Sequence, residues 1–163
     1  RLITAMFLQY GLFHLLLNMW ALWVLGRVLE ATLGPVRFLA LYLTAGLGGN
    51  VAAYLFTEPN VPTAGASGAV FGLFAALFLV LRKLGRDTSA VLPILVINIV
   101  FTFTIPNISI AGHLGGLVTG AAVALGIAYA PRTRRNLVTY GTFAVVLAVL
   151  VLLTVVRTAA LTG

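Results

Sequence analysis

The chain has 163 residues, of which 61% are apolar and 8% charged, with 10 lysines or arginines against 3 acidic residues and a formal net charge of +7. Soluble domains carry charge on about 25% of their residues, and this chain has too few polar groups to cover a globule in water, so we exclude a water-soluble fold. The absence of cysteine excludes disulfides, thiolate catalysis and cysteine-ligated metal sites.

The first 13 residues are expected to lie at a membrane interface or to form a re-entrant element. Their apolar side chains are interrupted by Thr4, Gln9 and Gly11, and the segment is too short to cross a bilayer. The chain opens at Arg1 without an initiator methionine or a signal-peptide pattern, so we expect a trimmed N-terminus.

Six apolar blocks follow, judged against the requirement of about 20 residues for each membrane crossing. The predicted spans are Leu12–Leu29, Phe38–Phe56, Ser67–Leu81, Val91–Ile105, Ile110–Ala130 and Leu137–Val156. The short connections between them contain the glycines and prolines that are typical of helix ends. The predicted fold class is therefore an all-α polytopic membrane protein, a compact bundle of six transmembrane helices.

Basic residues concentrate in alternate loops. If successive loops face opposite sides, eight of the ten fall on one side: Arg27, Arg37, Arg82, Lys83, Arg86, Arg132, Arg134 and Arg135. The positive-inside rule makes that side cytoplasmic, which fits a bacterial plasma membrane and places residues 57–66 and 106–109 outside. Because the charges are spread over loops rather than gathered in one groove, we do not expect nucleic-acid binding.

Polar side chains near the outer ends of three spans are the candidates for chemistry, because polar groups inside a membrane are costly. His14 and Asn18 are four residues apart and share one helix face. Ser67 stands where an outer loop becomes a helix, a position that by itself indicates a helix cap. His113 by itself is most simply a structural histidine.

Glycine spacing connects the last two candidates. Gly112, Gly116 and Gly120 repeat every four residues and form a smooth stripe on which the Ser67 helix could pack closely. The imidazole of His113 would then take the proton of the Ser67 hydroxyl. Asn18, His14 and the backbone N–H of Ser67 are candidate donors to an oxyanion. Since no acidic residue lies at this depth, a Ser-His dyad is predicted.

Three motifs together closely resemble the rhomboid intramembrane serine proteases over residues 1–130. They are His14-xxx-Asn18, Gly65-Ala66-Ser67-Gly68 and Gly112-His113-xx-Gly116-xxx-Gly120. The resemblance implies that Ser67 is the nucleophile, that His113 is the base, and that His14 and Asn18 stabilise the oxyanion, without metal or other cofactor. In some members a tyrosine one turn after the serine packs on the histidine, and here Phe71 could stack instead.

The resemblance also divides the chain. Residues 1–13 would be the remainder of an outer loop, residues 14–130 a rhomboid-like catalytic core, and residues 131–163 a basic loop with an additional helix. Core helices two to six would be present and the first core helix missing. Arg1 resembles the arginine of a Trp-Arg pair in that loop, whose tryptophan is absent.

The predicted function is that of a serine endopeptidase that hydrolyses peptide bonds in or near transmembrane segments of membrane proteins, with its active site open to the non-cytoplasmic side. A non-catalytic rhomboid-like protein that binds membrane segments is one alternative. A small transporter subunit that lines a pathway with asparagine and histidine is a weaker alternative. Asn50 and Asn98 lie within spans and are expected to form interhelical hydrogen bonds.

Overall fold

The computed structural model describes residues 2–9, 11–58, 65–104 and 108–163, which form six α-helices and no strand. The helices are α1 (Leu12–Leu33), α2 (Pro35–Phe56), α3 (Ser67–Lys83), α4 (Val91–Thr104), α5 (Ile110–Ala128) and α6 (Arg135–Thr162). Short 3-10 helices occupy Thr4–Phe7 and Arg132–Arg134. The all-α fold and its six predicted helices are confirmed, with boundaries that differ by a few residues.

Four stretches within the described residues are long and apolar enough to cross a membrane: α1, α2, α5 and Arg132–Thr162. Helix α4 is a shorter apolar helix of 14 residues. Helix α3 has 17 residues, a rise of about 26 Å. The predicted boundary Ile105, Pro106 of the expected outer loop and Arg1 lie outside the described residues.

Glycine and proline separate α1 from α2. Gly34 has a φ of +85°, a left-handed conformation that favours glycine, and its N–H donates to the carbonyl of Glu30 at 2.8 Å. Pro35 then begins α2, where its missing N–H costs no helical hydrogen bond. The chain therefore reverses direction without a longer loop.

Helix α3 lies at the centre of the bundle. Eleven of its 17 residues are buried, whereas one residue of α4 and three of the 28 residues of α6 are. Large apolar side chains on the outer helices are exposed, among them Trp20, Phe101 and Leu152. This distribution suits a bundle whose surface meets lipid.

Helices α3 and α5 pack backbone against backbone. A methyl group added at Gly116 would collide with the carbonyl oxygen of Gly68, and one added at Gly120 would collide with the backbone of Gly72. Such close approach is the usual role of small residues four apart in membrane helices. The structure thus confirms that the glycine stripe of α5 faces the Ser67 helix.

Helix α2 completes this core and holds the N-terminal segment. A methyl group on Gly49 would lie 2.6 Å from the carbonyl oxygen of Gly112. Met6, 1% exposed, packs where Gly46 leaves room for it. The segment before α1 is therefore seated on the bundle.

The asparagines expected to join helices bond elsewhere. The side chain of Asn50 donates to the carbonyl of Leu2 at 2.6 Å, and that of Asn98 donates to the carbonyl of Ile94 in its own helix at 2.8 Å. The expectation of interhelical bonds was wrong because backbone carbonyls lie within reach of both amides. Asn50 instead ties the N-terminal segment to α2.

Basic residues from different helices lie together at one end of the bundle. Arg37 donates to the side-chain oxygen of Asn136 at 3.1 Å, joining the start of α2 to the start of α6. The Lys83 ammonium lies 4.6 Å from the ring centroid of Tyr129, joining the ends of α3 and α5. These pairs have the arrangement that alternating loops predict for one side of a membrane.

Candidate active site

Ser67 is the first residue of α3 and is half-buried. The N-cap is Ala66, and no side chain caps the helix, so the Ser67 hydroxyl does not serve as the cap. Backbone N–H groups in the first turn of a helix lack helical acceptors and carry its positive dipole end. A hydroxyl and a backbone donor therefore stand side by side at the start of α3.

Gly65 brings the ring of His14 next to Ser67. Its φ of +126° lies in the region that favours glycine, and its N–H donates to the carbonyl of Ala5 at 2.9 Å. A methyl group built on Gly65 would lie 2.8 Å from His14 Cε1 and 3.5 Å from Ser67 Oγ. The imidazole and the hydroxyl therefore border the same small space beside Gly65.

His113 is 9% exposed and lies in the first turn of α5. Its ring stacks on Phe71, one helical turn after Ser67, with the ring centroids 4.2 Å apart and the planes at 21°. The expectation that Phe71 stacks is confirmed. Phe71 lies on α3, which the glycine contact holds against α5, so the His113 ring packs on α3 one turn after Ser67.

The backbones on either side of the proposed pair are in contact. A methyl group on Gly68 would lie 3.1 Å from the carbonyl oxygen of Gly112. Within the described part of the chain, no hydrogen bond joins Ser67 Oγ to the ring of His113. In free enzymes such bonds are often long and shorten only when substrate binds.

Asn18 is 6% exposed on α1. Its side-chain amide donates to Gln9 Oε1 and to the carbonyl oxygen of His14, each at 3.1 Å. The amide therefore lies one turn from His14, as the sequence predicts, with its hydrogens directed to other groups. Gln9 is a neighbour that the sequence did not identify.

A second neighbour that the sequence did not identify is Thr102 of α4. Its Oγ1 lies 2.8 Å from Nδ1 of His113, and the residue is 2% exposed. The available signal was a threonine four residues after Asn98 in an apolar segment, and threonines at such positions commonly bond within their own helix. Its partner depends on how α4 packs beside α5.

Taken together, the site holds a hydroxyl, two imidazoles, a side-chain amide and a helix N-terminus. A hydroxyl beside an imidazole, with N–H donors close by, is suited to acyl transfer. Among the residues that the structure describes, no group of three or more His, Cys, Asp or Glu side chains could hold a metal ion.

Comparison with known proteins gives the family. The model of the rhomboid domain matches residues 1–130. The chain belongs to the rhomboid family. This rhomboid is 42% identical over 137 residues to "Rhomboid protease GluP" of Bacillus subtilis, an alignment that covers 78% of the chain and 26% of that protein. It is 39% identical over 126 residues to "Putative rhomboid protease YdcA" of the same organism, covering 74% of the chain and 63% of that protein.

One relative of the chain is named as inactive. The chain is 29% identical over 141 residues to "Inactive RHOMBOID-like protein 8" of Arabidopsis thaliana, covering 83% of the chain and 40% of that protein.

The chain spans about a quarter of the length of one protease-named relative and under two thirds of the length of the other. Family membership supports an intramembrane protease at the level of the family.

Proposed function

We propose that this rhomboid is an intramembrane serine protease that hydrolyses peptide bonds in or near transmembrane segments of membrane proteins, with Ser67 and His113 as its catalytic dyad. The observation that carries the proposal is the stacking of His113 on Phe71, one turn after Ser67. This contact supports the pairing because the imidazole lies on α3 one turn from the residue that bears the hydroxyl. Residues 14–130 would form the catalytic core.

The reaction follows from these two side chains. Ser67 Oγ attacks the carbonyl carbon of the peptide bond while Nε2 of His113 takes the hydroxyl proton. The tetrahedral intermediate collapses, and the departing amine takes that proton from His113. An acyl-enzyme ester remains. A water molecule then attacks the ester with His113 again as base, which releases the carboxylic acid and restores Ser67.

The developing oxyanion needs donors at the start of α3. The backbone N–H of Ser67 is one, at the positive end of the helix. His14 borders the same space beside Gly65 and supplies a ring N–H. Asn18 supplies a third when its amide exchanges the oxygen of Gln9 for that of the substrate.

The proposed location is a bacterial plasma membrane, with the site open to the non-cytoplasmic side. Its support is the gathering of basic residues, such as Arg37 and Lys83, at the end of the bundle opposite to Ser67. Substrates would be membrane proteins whose transmembrane segments approach α3 laterally through the lipid.

The test is cleavage of a model transmembrane substrate by purified protein in lipid vesicles. Ser67→Ala should lower the cleavage rate by roughly a thousandfold or more, because no other hydroxyl replaces the nucleophile. Ser89→Ala is the matched control, since Ser89 is exposed in the α3–α4 loop and bonds Asp87. Its rate should equal that of the wild type.

A non-catalytic binder of membrane segments is the second candidate, favoured by the relative named inactive. It predicts that the folded wild-type protein crosslinks to the substrate without cutting it. Equal cleavage by wild type and Ser67→Ala would instead contradict the assigned nucleophile.

A further inference from the structure

We infer that Thr102 is a positioning residue that selects the tautomer of His113 in which Nδ1 carries the proton and Nε2 is the free base. This inference rests on the proposed function, because it explains how the proposed base is prepared. Thr102 itself is not part of the motifs that carried the family resemblance.

The hydrogen-bond geometry around Thr102 determines the direction of the bonds. Thr102 Oγ1 lies 2.8 Å from the carbonyl oxygen of Asn98 and 2.8 Å from Nδ1 of His113. A hydroxyl has one hydrogen and can accept two bonds. The carbonyl oxygen of Asn98 can only accept, so the Thr102 hydroxyl donates its hydrogen to that oxygen. Oγ1 must then accept from Nδ1, which therefore carries a proton.

The protonation of Nδ1 has a chemical consequence. A neutral imidazole carries one proton, and the bond made by one ring nitrogen decides the state of the other. With the proton on Nδ1, the lone pair is on Nε2, where a serine proton can be taken. The opposite tautomer would place the lone pair against Thr102 and leave no base for Ser67.

Burial makes this selection effective. Thr102 is 2% exposed and His113 is 9% exposed, so water competes poorly for either group. Leaving a buried polar group without its hydrogen-bond partner is unfavourable. Phe71 covers one face of the ring while Thr102 holds its edge. Turning the ring over would remove the bond to Nδ1, so both the tautomer and the ring orientation are set.

The same role is filled in soluble serine proteases by a buried carboxylate that bonds Nδ1. A hydroxyl orients the ring without placing a charge in the membrane, where charge is costly. The sequence prediction of a dyad with no acidic partner is therefore compatible with a third orienting residue.

The test compares three variants in the cleavage assay in lipid vesicles. Thr102→Val keeps the shape but removes the hydroxyl, and Thr102→Ser keeps the hydroxyl. Thr104→Val is the matched control, because Thr104 lies on the same helix, is exposed, and donates to the carbonyl of Val100 at 2.9 Å. We expect kcat to fall about tenfold or more in Thr102→Val, as each 1.4 kcal/mol is a factor of ten, with KM little changed. Thr102→Ser and Thr104→Val should keep most of the wild-type kcat.

A second measurement reads the tautomer without substrate. The chain has two histidines, so 15N-histidine labelling gives a simple NMR spectrum, which a His14→Gln variant assigns. We expect His113 in the wild type to be protonated at Nδ1 and to become a mixture of tautomers in Thr102→Val.

Protonation at Nε2 in the wild type, or unchanged kcat in a folded Thr102→Val, would overturn the inference while leaving the protease intact. Absence of cleavage by the wild type would contradict the proposed function alone, since the NMR measurement does not depend on activity.

Discussion

Both hydrogens of the Asn18 side-chain amide are engaged in hydrogen bonds within the protein. One goes to the half-buried side chain of Gln9 and the other to the carbonyl of His14. The Gln9 oxygen is neutral, whereas an oxyanion is charged, and hydrogen bonds to charged acceptors are about twice as strong. The bond to Gln9 therefore keeps the amide in place until a stronger acceptor displaces it.

We expect Asn18→Ala to lower kcat on the order of a hundredfold with little change in KM, because an oxyanion donor acts mainly in the transition state. Asn136→Ala removes an asparagine that bonds Arg37 at the other end of the bundle, and it should leave kcat unchanged. Steady-state cleavage kinetics in lipid vesicles would measure both. A wild-type kcat in folded Asn18→Ala would contradict the assigned role of Asn18.

Some of these residues could be predicted from the sequence and others could not. His14, Asn18, Ser67 and His113 are conspicuous because a polar group in a membrane helix needs a purpose. Thr102 is not, since a threonine in a helix bonds the carbonyl four residues earlier, as Thr104 does. Its second partner on α5 becomes visible only when the helices are packed.

The contact between α3 and α5 determines whether the proposed dyad can form. Within a bilayer there is no hydrophobic force between helices, so association depends on close packing. Gly116 and Gly120 meet the backbone of α3 rather than flexible side chains. Backbone cannot move aside without displacing the helix, so a single methyl group would push α5 away from α3.

We expect Gly120→Ala to lower the free energy of unfolding by about 1–3 kcal/mol through overpacking. We also expect it to lower kcat/KM, because small misplacements of reacting groups are costly. Gly141→Ala is the matched control, since a methyl group there meets nothing within 4 Å. Thermal unfolding in detergent and cleavage in vesicles would measure the two effects. If Gly120→Ala were as stable and as active as Gly141→Ala, the glycine contact would not position the site.

The glycine stripe of α5 was predictable because its four-residue spacing is written in the chain. The contribution of α2 was not, although Gly48 and Gly49 also lie at close contacts, with Thr119 and Gly112. Both α2 and α3 carry paired small residues, and spacing alone does not rank them as partners of α5. The structure shows that α5 packs against both.

The alternating direction of the helices places the polar candidate residues and most of the basic residues at opposite ends of the bundle. His14, Ser67 and His113 lie in the first turns of α1, α3 and α5. Because successive helices run in opposite directions, these three starts share one end of the bundle. The starts of α2 and α6 share the other end, where Arg37 bonds Asn136.

Cysteine labelling would test the orientation in the membrane, because the chain has no cysteine of its own. Thr57→Cys places a thiol at the C-terminal end of α2, at the same end of the bundle as the start of α3, and Thr133→Cys places one in the basic turn before α6. A membrane-impermeant maleimide should label only Thr57→Cys in intact bacterial cells, by the positive-inside rule. Both should be labelled after permeabilisation. Labelling of Thr133→Cys alone in intact cells would reverse the proposed orientation.

The membrane environment, the helices and the four polar candidates could be predicted from the sequence, because hydropathy, helix-ending residues and glycine spacing act locally along the chain. The packed structure was needed to show which nitrogen of His113 is bonded, where the amide of Asn18 points, and that Asn50 holds the N-terminal segment. Each of these is a hydrogen bond between groups 9 to 48 residues apart. Such bonds depend on the relative positions of packed segments, which no local pattern encodes.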